Sequence, residues 1–159
     1  MHPMKNLLCL MILYALPAFA LANTMVFEAD DQLQANARKW ANQFVQFAEA
    51  EYDIELNFSL QSIKYLDELV DDLHATFVAE SPPEEEIFPV ARALGSYVAE
   101  VYRIFNGGKW GWFIREGESF PGVETAKGSQ FFPVERVLAR IKTHTDPDIW
   151  EYYLLMTQH

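Results

Sequence analysis

The sequence holds one cysteine, Cys9, and it lies inside an N-terminal apolar run. If that run is removed on export, no thiol remains, which excludes disulfides, thiolate nucleophiles and cysteine-ligated zinc. Histidine is scarce as well. Of the four, His2 belongs to the same N-terminal stretch and His159 is terminal, so histidine chemistry rests on His74 or His144, neither of which has a serine or acid at catalytic spacing. There is no G-x-S-x-G elbow, no H-E-x-x-H helix and no phosphate-cradling glycine loop; Gly107-Gly108 follows a helix instead of preceding one. Nothing in the pattern implies a metal or a cofactor. Bases are few: 12 Lys and Arg stand against 23 Asp and Glu, a formal net charge of −11. So small a basic footprint argues against nucleic acid or an anionic membrane as partner. The acidity leaves two readings open, solubility and a basic protein partner steered by charge.

Long apolar runs are also missing, since a membrane-spanning helix needs roughly 20 apolar residues. The N-terminus instead shows a short positive end at Met1 to Lys5, an apolar run from Leu7 to Leu16, a break at Pro17 and a small-x-small site at Ala20-Leu21-Ala22. That is the layout of a secretory signal peptide. We expect cleavage after Ala22, a periplasmic or secreted product, no stable membrane anchor afterwards and one globular domain over residues 23–159. Cys9 has no small residue before it and is a poor site for lipid attachment. With 50% hydrophobic and 14% aromatic residues, a chain of this size buries about two thirds of its unfolded surface and sustains a core without covalent staples.

What is present is periodic. Between Glu28 and Ala50, Leu33, Ala37, Trp40, Phe44 and Phe47 recur at helical steps, with Asp30 or Asp31 placed to cap the first turn. Asp53, Glu55 and Asn57 alternate like the opening ligands of a calcium loop. Phe58 and Lys64 stand where glycine and glutamate are required, so the stretch reads as an exposed acidic turn. Ser59 caps a second helix that runs to about Ala79, with Ile63, Leu66, Leu69, Val70, Leu73 and Phe77 inward. Asp67, Asp71 and His74 share its other side as a solvated acidic flank, because nothing adjacent in sequence completes a ligand set. Ser81-Pro82-Pro83-Glu84 reads as a capping box that opens a third helix. Pro89 imposes either a short initial turn from Pro82 to Phe88 or a kink.

The richest stretch runs from Val90 to Ile114. Leu94, Tyr97, Val98, Val101, Ile104 and Phe105 form an arc too broad for a helix with a free side, so the third helix is expected to be central. Gly95 costs about 1 kcal/mol relative to alanine in a helix interior, which points to another backbone passing close. Glu100 lies one turn from Ser96 and Arg103 and within reach of Arg92. It reads as half of a structural ion pair, and it is also the one weak catalytic candidate. Asn106, Gly107 and Gly108 stop the helix. Lys109 to Arg115 is a strand with Trp110, Trp112 and Ile114 on one face and a bare spot at Gly111 on the other. Phe120 to Thr125 and Ser129 to Phe132 follow as short strands, and Pro121 and Gly122 mark the middle one for an edge or an irregular link. Pro133 opens a fourth helix to about Lys142, with Val134, Val137, Leu138 and Ile141 inward and Glu135, Arg136, Ala139 and Arg140 outward. Thr145 or Asp146 caps a fifth, whose apolar side is Ile149, Trp150, Tyr153, Leu154 and Met156. The expected fold is a helix-rich α+β single domain of about five helices with a small antiparallel sheet near residues 109–132.

The aromatic residues of the strand region either pack against helices or line a groove. Phe113 and Phe120 are expected to be exposed, and with Trp112 and Arg115 they form the candidate binding rim. Gly95, Tyr97, Glu100, Arg103, Gly107, Gly108 and Trp110 are assigned structural roles. The order G-x-Y-x-x-E (Gly95, Tyr97, Glu100), GG-x-W-x-W (Gly107, Gly108, Trp110, Trp112) and F-P-x-E-x-V (Phe132, Pro133, Glu135, Val137) resembles a bacterial family of small proteins of unknown function. With a Leu-Asp pair like Leu66-Asp67, the resemblance covers about residues 56–157. It implies a compact α+β domain and supplies no active site; Ala99 departs from the glycine common at that place. The functional expectation is an exported, non-enzymatic binding protein, of inhibitor or immunity type, for a basic partner. The alternatives are a cell-envelope hydrolase using Glu100 and an envelope-maintenance scaffold.

Overall fold

The computed structural model describes residues 25–158, so the expected signal segment and His159 lie outside the described residues. The elements are β1 (Val26–Ala29), α1 (Asp31–Tyr52), α2 (Leu60–Glu80), α3 (Glu84–Asn106), β2 (Lys109–Arg115), β3 (Glu118–Glu124), β4 (Gln130–Phe131), α4 (Pro133–Thr143) and α5 (Ile149–Gln158). Five helices accompany one antiparallel sheet of order β1-β2-β3-β4. This is the α+β class that the periodicities indicate.

β1 is the element the sequence pattern does not show. Phe27 and Glu28, the latter at the margin of the stretch read as the first helix, pair with Phe113 and Trp112. The strand is too short to display its own period, and it is held by its partner. A Cβ at Gly111 would lie 2.6 Å from the Phe27 ring, so the bare spot on β2 is filled by the chain itself. The next residue, Asp30, caps α1 by accepting from the Gln32 and Leu33 amides at 2.9 Å. Its other oxygen accepts from Trp112 Nε1 at 2.9 Å and so ties the helix start to β2.

α3 is the axis of the domain, with α1 and α4 packed against it and every residue from Leu94 to Tyr102 buried. The close backbone at Gly95 is that of α4: a Cβ would fall 2.5 Å from Val134 Cα. The apolar arc ends earlier than expected. Ile104 and Phe105 are 59% and 53% exposed, and the inward position is taken by Tyr102, whose ring packs on Phe131 and Tyr153 and whose hydroxyl donates to the Met156 carbonyl.

Several expected caps are displaced. Ser81 does not open α3; it closes α2 in a left-handed conformation at φ 46°. α3 starts at Glu84 with no side-chain cap, and Glu84, Glu85 and Glu86 meet its positive end instead. Pro89 lies within this one continuous helix, where its missing amide deprives only the Glu85 carbonyl of a helical donor. α5 is capped by Asp148, which accepts from the Glu151 amide at 2.7 Å, and not by Thr145 or Asp146. Asp67 of α2 assists by accepting from the Ile149 and Trp150 amides. Arg140 is buried, not outward, because it donates to the His144 and Thr145 carbonyls and reaches Asp71 on α2. Leu154 is exposed, off the inward face of α5. Within the sheet, β4 pairs only with Val123 and Glu124, which leaves Pro121 on a locally free side of β3, where a missing amide does no harm.

Candidate functional site

Glu100 is only 4% exposed. Its Oε1 accepts from Arg103 Nη1 at 2.7 Å and from Trp110 Nε1 at 3.1 Å, and Arg103 Nε donates to the Gly108 carbonyl. One oxygen therefore joins the last turns of α3, the Gly107-Gly108 stop and the start of β2. Gly107 and Gly108 hold φ of 76° and 113°, conformations that a side chain resists. Arg92 does not join the pair; its guanidinium lies 4.3 Å from the centre of the Trp40 ring. Tyr97 makes a second buried joint, accepting from the Phe58 amide at 2.9 Å and meeting Ser62 Oγ at 2.6 Å. Burial is the main cause that pushes the Tyr97 hydroxyl above its ordinary value. Glu100 also lines a recess of about 140 Å³ with Arg38, Asn42, Phe58 and Ile104.

The expected binding rim is not assembled. Phe113 is 1% exposed, because neighbouring rings cover it: its ring lies 4.8 Å from that of Phe27 on the adjacent β1 and 4.9 Å from that of Phe132. Trp112 is half-buried and committed to Asp30. Phe120 is half-buried opposite Phe113. Of the four, Arg115 alone is exposed. These aromatic residues are core and core margin, not a platform.

The charge distribution separates one surface from the rest. Twelve of the 23 acidic residues fall between Glu49 and Glu86, with Lys64 the one base in that span. The fold places them on the end of α1, the following loop, α2 and the first turn of α3. Glu49, Glu51, Asp53, Glu55, Glu68 and Asp72 are exposed, while Lys64 is turned toward the Trp150 ring. Asp53, Glu55 and Glu68 line a recess of about 370 Å³ together with Ile54 and Tyr65. Such a lining suits the stem and charged tip of a lysine or arginine side chain. Among the described residues no group of three or more side chains is arranged to hold a metal ion. The Tyr52 hydroxyl registers the field: burial pushes it up first, and the Asp72 and Glu51 carboxylates add to the shift.

Asp71 leaves that face to join α2 to α4. Its Oδ1 lies 2.9 Å from His144 Nε2 and 3.3 Å from Arg140 Nη2, while His74 Nδ1 meets the Ile141 carbonyl at 2.7 Å and its ring packs on His144. This cluster is not visible in the sequence, because its halves are some seventy residues apart.

The fold and its surfaces define a helix-rich α+β domain with one strongly acidic side. A crystal structure of a protein from Bacteroides thetaiotaomicron VPI-5482 is similar at a TM-score of 0.58 and 12% identity, over 85% of this chain and 48% of that one. That likeness concerns the fold, and the chain spans about half the length of the protein it matches. No family model and no curated protein matches the chain.

Proposed function

We propose that this chain is an exported, non-enzymatic binding protein, of inhibitor or immunity type, whose acidic side covers a basic partner protein in the periplasm or outside the cell. The observation that carries this reading is the run of twelve acidic residues against one base between Glu49 and Glu86, gathered at the α1–α2–α3 end of the fold and largely exposed. Complementary charge of this kind accelerates encounter and selects partners. The N-terminal signal pattern supports export. The test is retention of envelope proteins on the immobilised chain at low and at high salt. A basic protein held at low salt and released at high salt is the expected result; no partner at low salt counts against the reading.

One observation favours a second reading, a cell-envelope hydrolase: Glu100 lines a recess beside Arg38 and Asn42. That recess, about 140 Å³, is smaller than the roughly 300–1,000 Å³ typical of small-molecule sites. Both donors to Glu100 occupy the same oxygen and already have structural work. Any wall-degrading activity that survives Glu100→Gln undiminished removes this reading.

A further inference from the structure

We infer that the groove between the end of α2 and the start of α3 receives one apolar side chain from a basic amphipathic segment of the partner. The inference rests on the reading that the partner is basic, and it adds the place and the manner of contact. Leu73 and Phe77 of α2, Ile87 and Val90 of α3 and Ile141 of α4 line a groove of about 190 Å³. A space below the roughly 300 Å³ of small-molecule sites fits a single anchoring side chain, the kind of contact that dominates interface energy when it fills a dry pocket.

Charge states what surrounds the anchor. Glu80 and Glu86 line the same groove and are exposed. Glu80 sits in the last turn of α2, where the negative helix end disfavours a carboxylate and no base in that turn offsets it. Glu84 is engaged by Lys142, and the three glutamates of the first turn outweigh the roughly half positive charge at the start of α3. The lips of an apolar slot are therefore anionic, complementary to lysine or arginine flanking an apolar residue. A second copy of this chain would bring its own net charge of −11 to those lips, which disfavours self-docking.

The test uses the full chain and two synthetic probes, a lysine-leucine amphipathic peptide and the same peptide with every leucine replaced by serine, each followed by fluorescence anisotropy at low salt. Burying an apolar side chain out of water favours binding, so the leucine peptide is expected to bind about tenfold tighter or more. Thr76→Trp, at an exposed position of the lining, should abolish that advantage and leave the serine peptide unaffected. Glu80→Lys should weaken both peptides. Equal binding of the two peptides, or a leucine preference that Thr76→Trp does not touch, overturns the groove while leaving the acidic side as a binding surface. Failure of both peptides to bind at low salt overturns the groove and the basic-partner reading together, and a chain that dimerises through this face on gel filtration overturns the choice of occupant.

Discussion

Glu100 Oε1 accepts the Trp110 indole at 3.1 Å while also pairing with Arg103 at 2.7 Å. Glu100, read from the sequence as half of a structural ion pair and as the one weak catalytic candidate, is therefore the joint between the central helix and the sheet. Removing one partner of a buried ion pair strands the other charge, at about 3–5 kcal/mol, and the 18% exposure of the Arg103 side chain places this pair at or below the lower end of that range. Glu100→Ala is expected to lose stability on that scale in urea unfolding. Glu100→Gln keeps an acceptor for the indole and should lose about 1–3 kcal/mol. Equal stability of the wild type and both variants would contradict the structural role.

Gly95 and Val134 give a second prediction. A methyl group at Gly95 would meet the α4 backbone at 2.5 Å, and backbone cannot swing aside as a flexible side chain can. Gly95→Ala, a substitution that favours an isolated helix by about 1 kcal/mol, should instead destabilise the protein by about 1–3 kcal/mol. Thermal unfolding reads the sign directly.

The two capping carboxylates should have pKa values displaced in opposite directions. The Leu33 amide and the Trp112 indole, followed by the Gln32 amide, hold Asp30 below its ordinary value of 3.8, whereas burial holds Asp67 above it despite the Ile149 and Trp150 amides. Asp30 thus contributes stability above pH 3.8 that is lost as pH falls through its folded value. Asp67 contributes below pH 3.8, and that contribution is lost as pH rises through its folded value. Carboxyl-carbon NMR titration should place the two on either side of 3.8; both on the same side would refute the assignment of causes.

Gly111 and Phe27 supply a prediction for the sheet. A side chain at Gly111 would displace the Phe27 ring and the β1 backbone, so Gly111→Ala should free β1 and uncover Phe113. The expected readout is faster amide exchange at Glu28 and Asp30, the positions in and just after β1 whose N–H groups face β2, with α2 and α4 unchanged.

What could be read in advance follows from the range of the forces. The helical stripes of α1, α2 and α4, the Ser59 cap, the Asn106-Gly107-Gly108 stop and the Glu100–Arg103 pair are local, set by residues within a turn or two of one another. β1 was not legible because four residues carry no usable period and their partners, Gly111 to Ile114, lie more than eighty residues away. The same distance hid the burial of Phe113, which depends on Phe27 for cover. Arg140 looked like an outward charge because its partner Asp71 reaches it from another helix. Ser81 shows a different limit: a serine before prolines fits a helix start, yet here the preceding helix ends on it with φ 46°. The acidic side was visible as composition, and only the fold shows it gathered beside an apolar groove.

The most direct measurement is salt-dependent retention of envelope proteins by the wild type beside a variant carrying Glu55→Gln, Glu68→Gln, Asp72→Asn, Glu80→Gln and Glu86→Gln, five exposed positions whose changes remove charge without touching the core. The account predicts that a basic protein retained by the wild type at low salt is lost from the variant, with both chains equally folded by circular dichroism. Undiminished retention by the variant, or no retained protein on either chain, would contradict it.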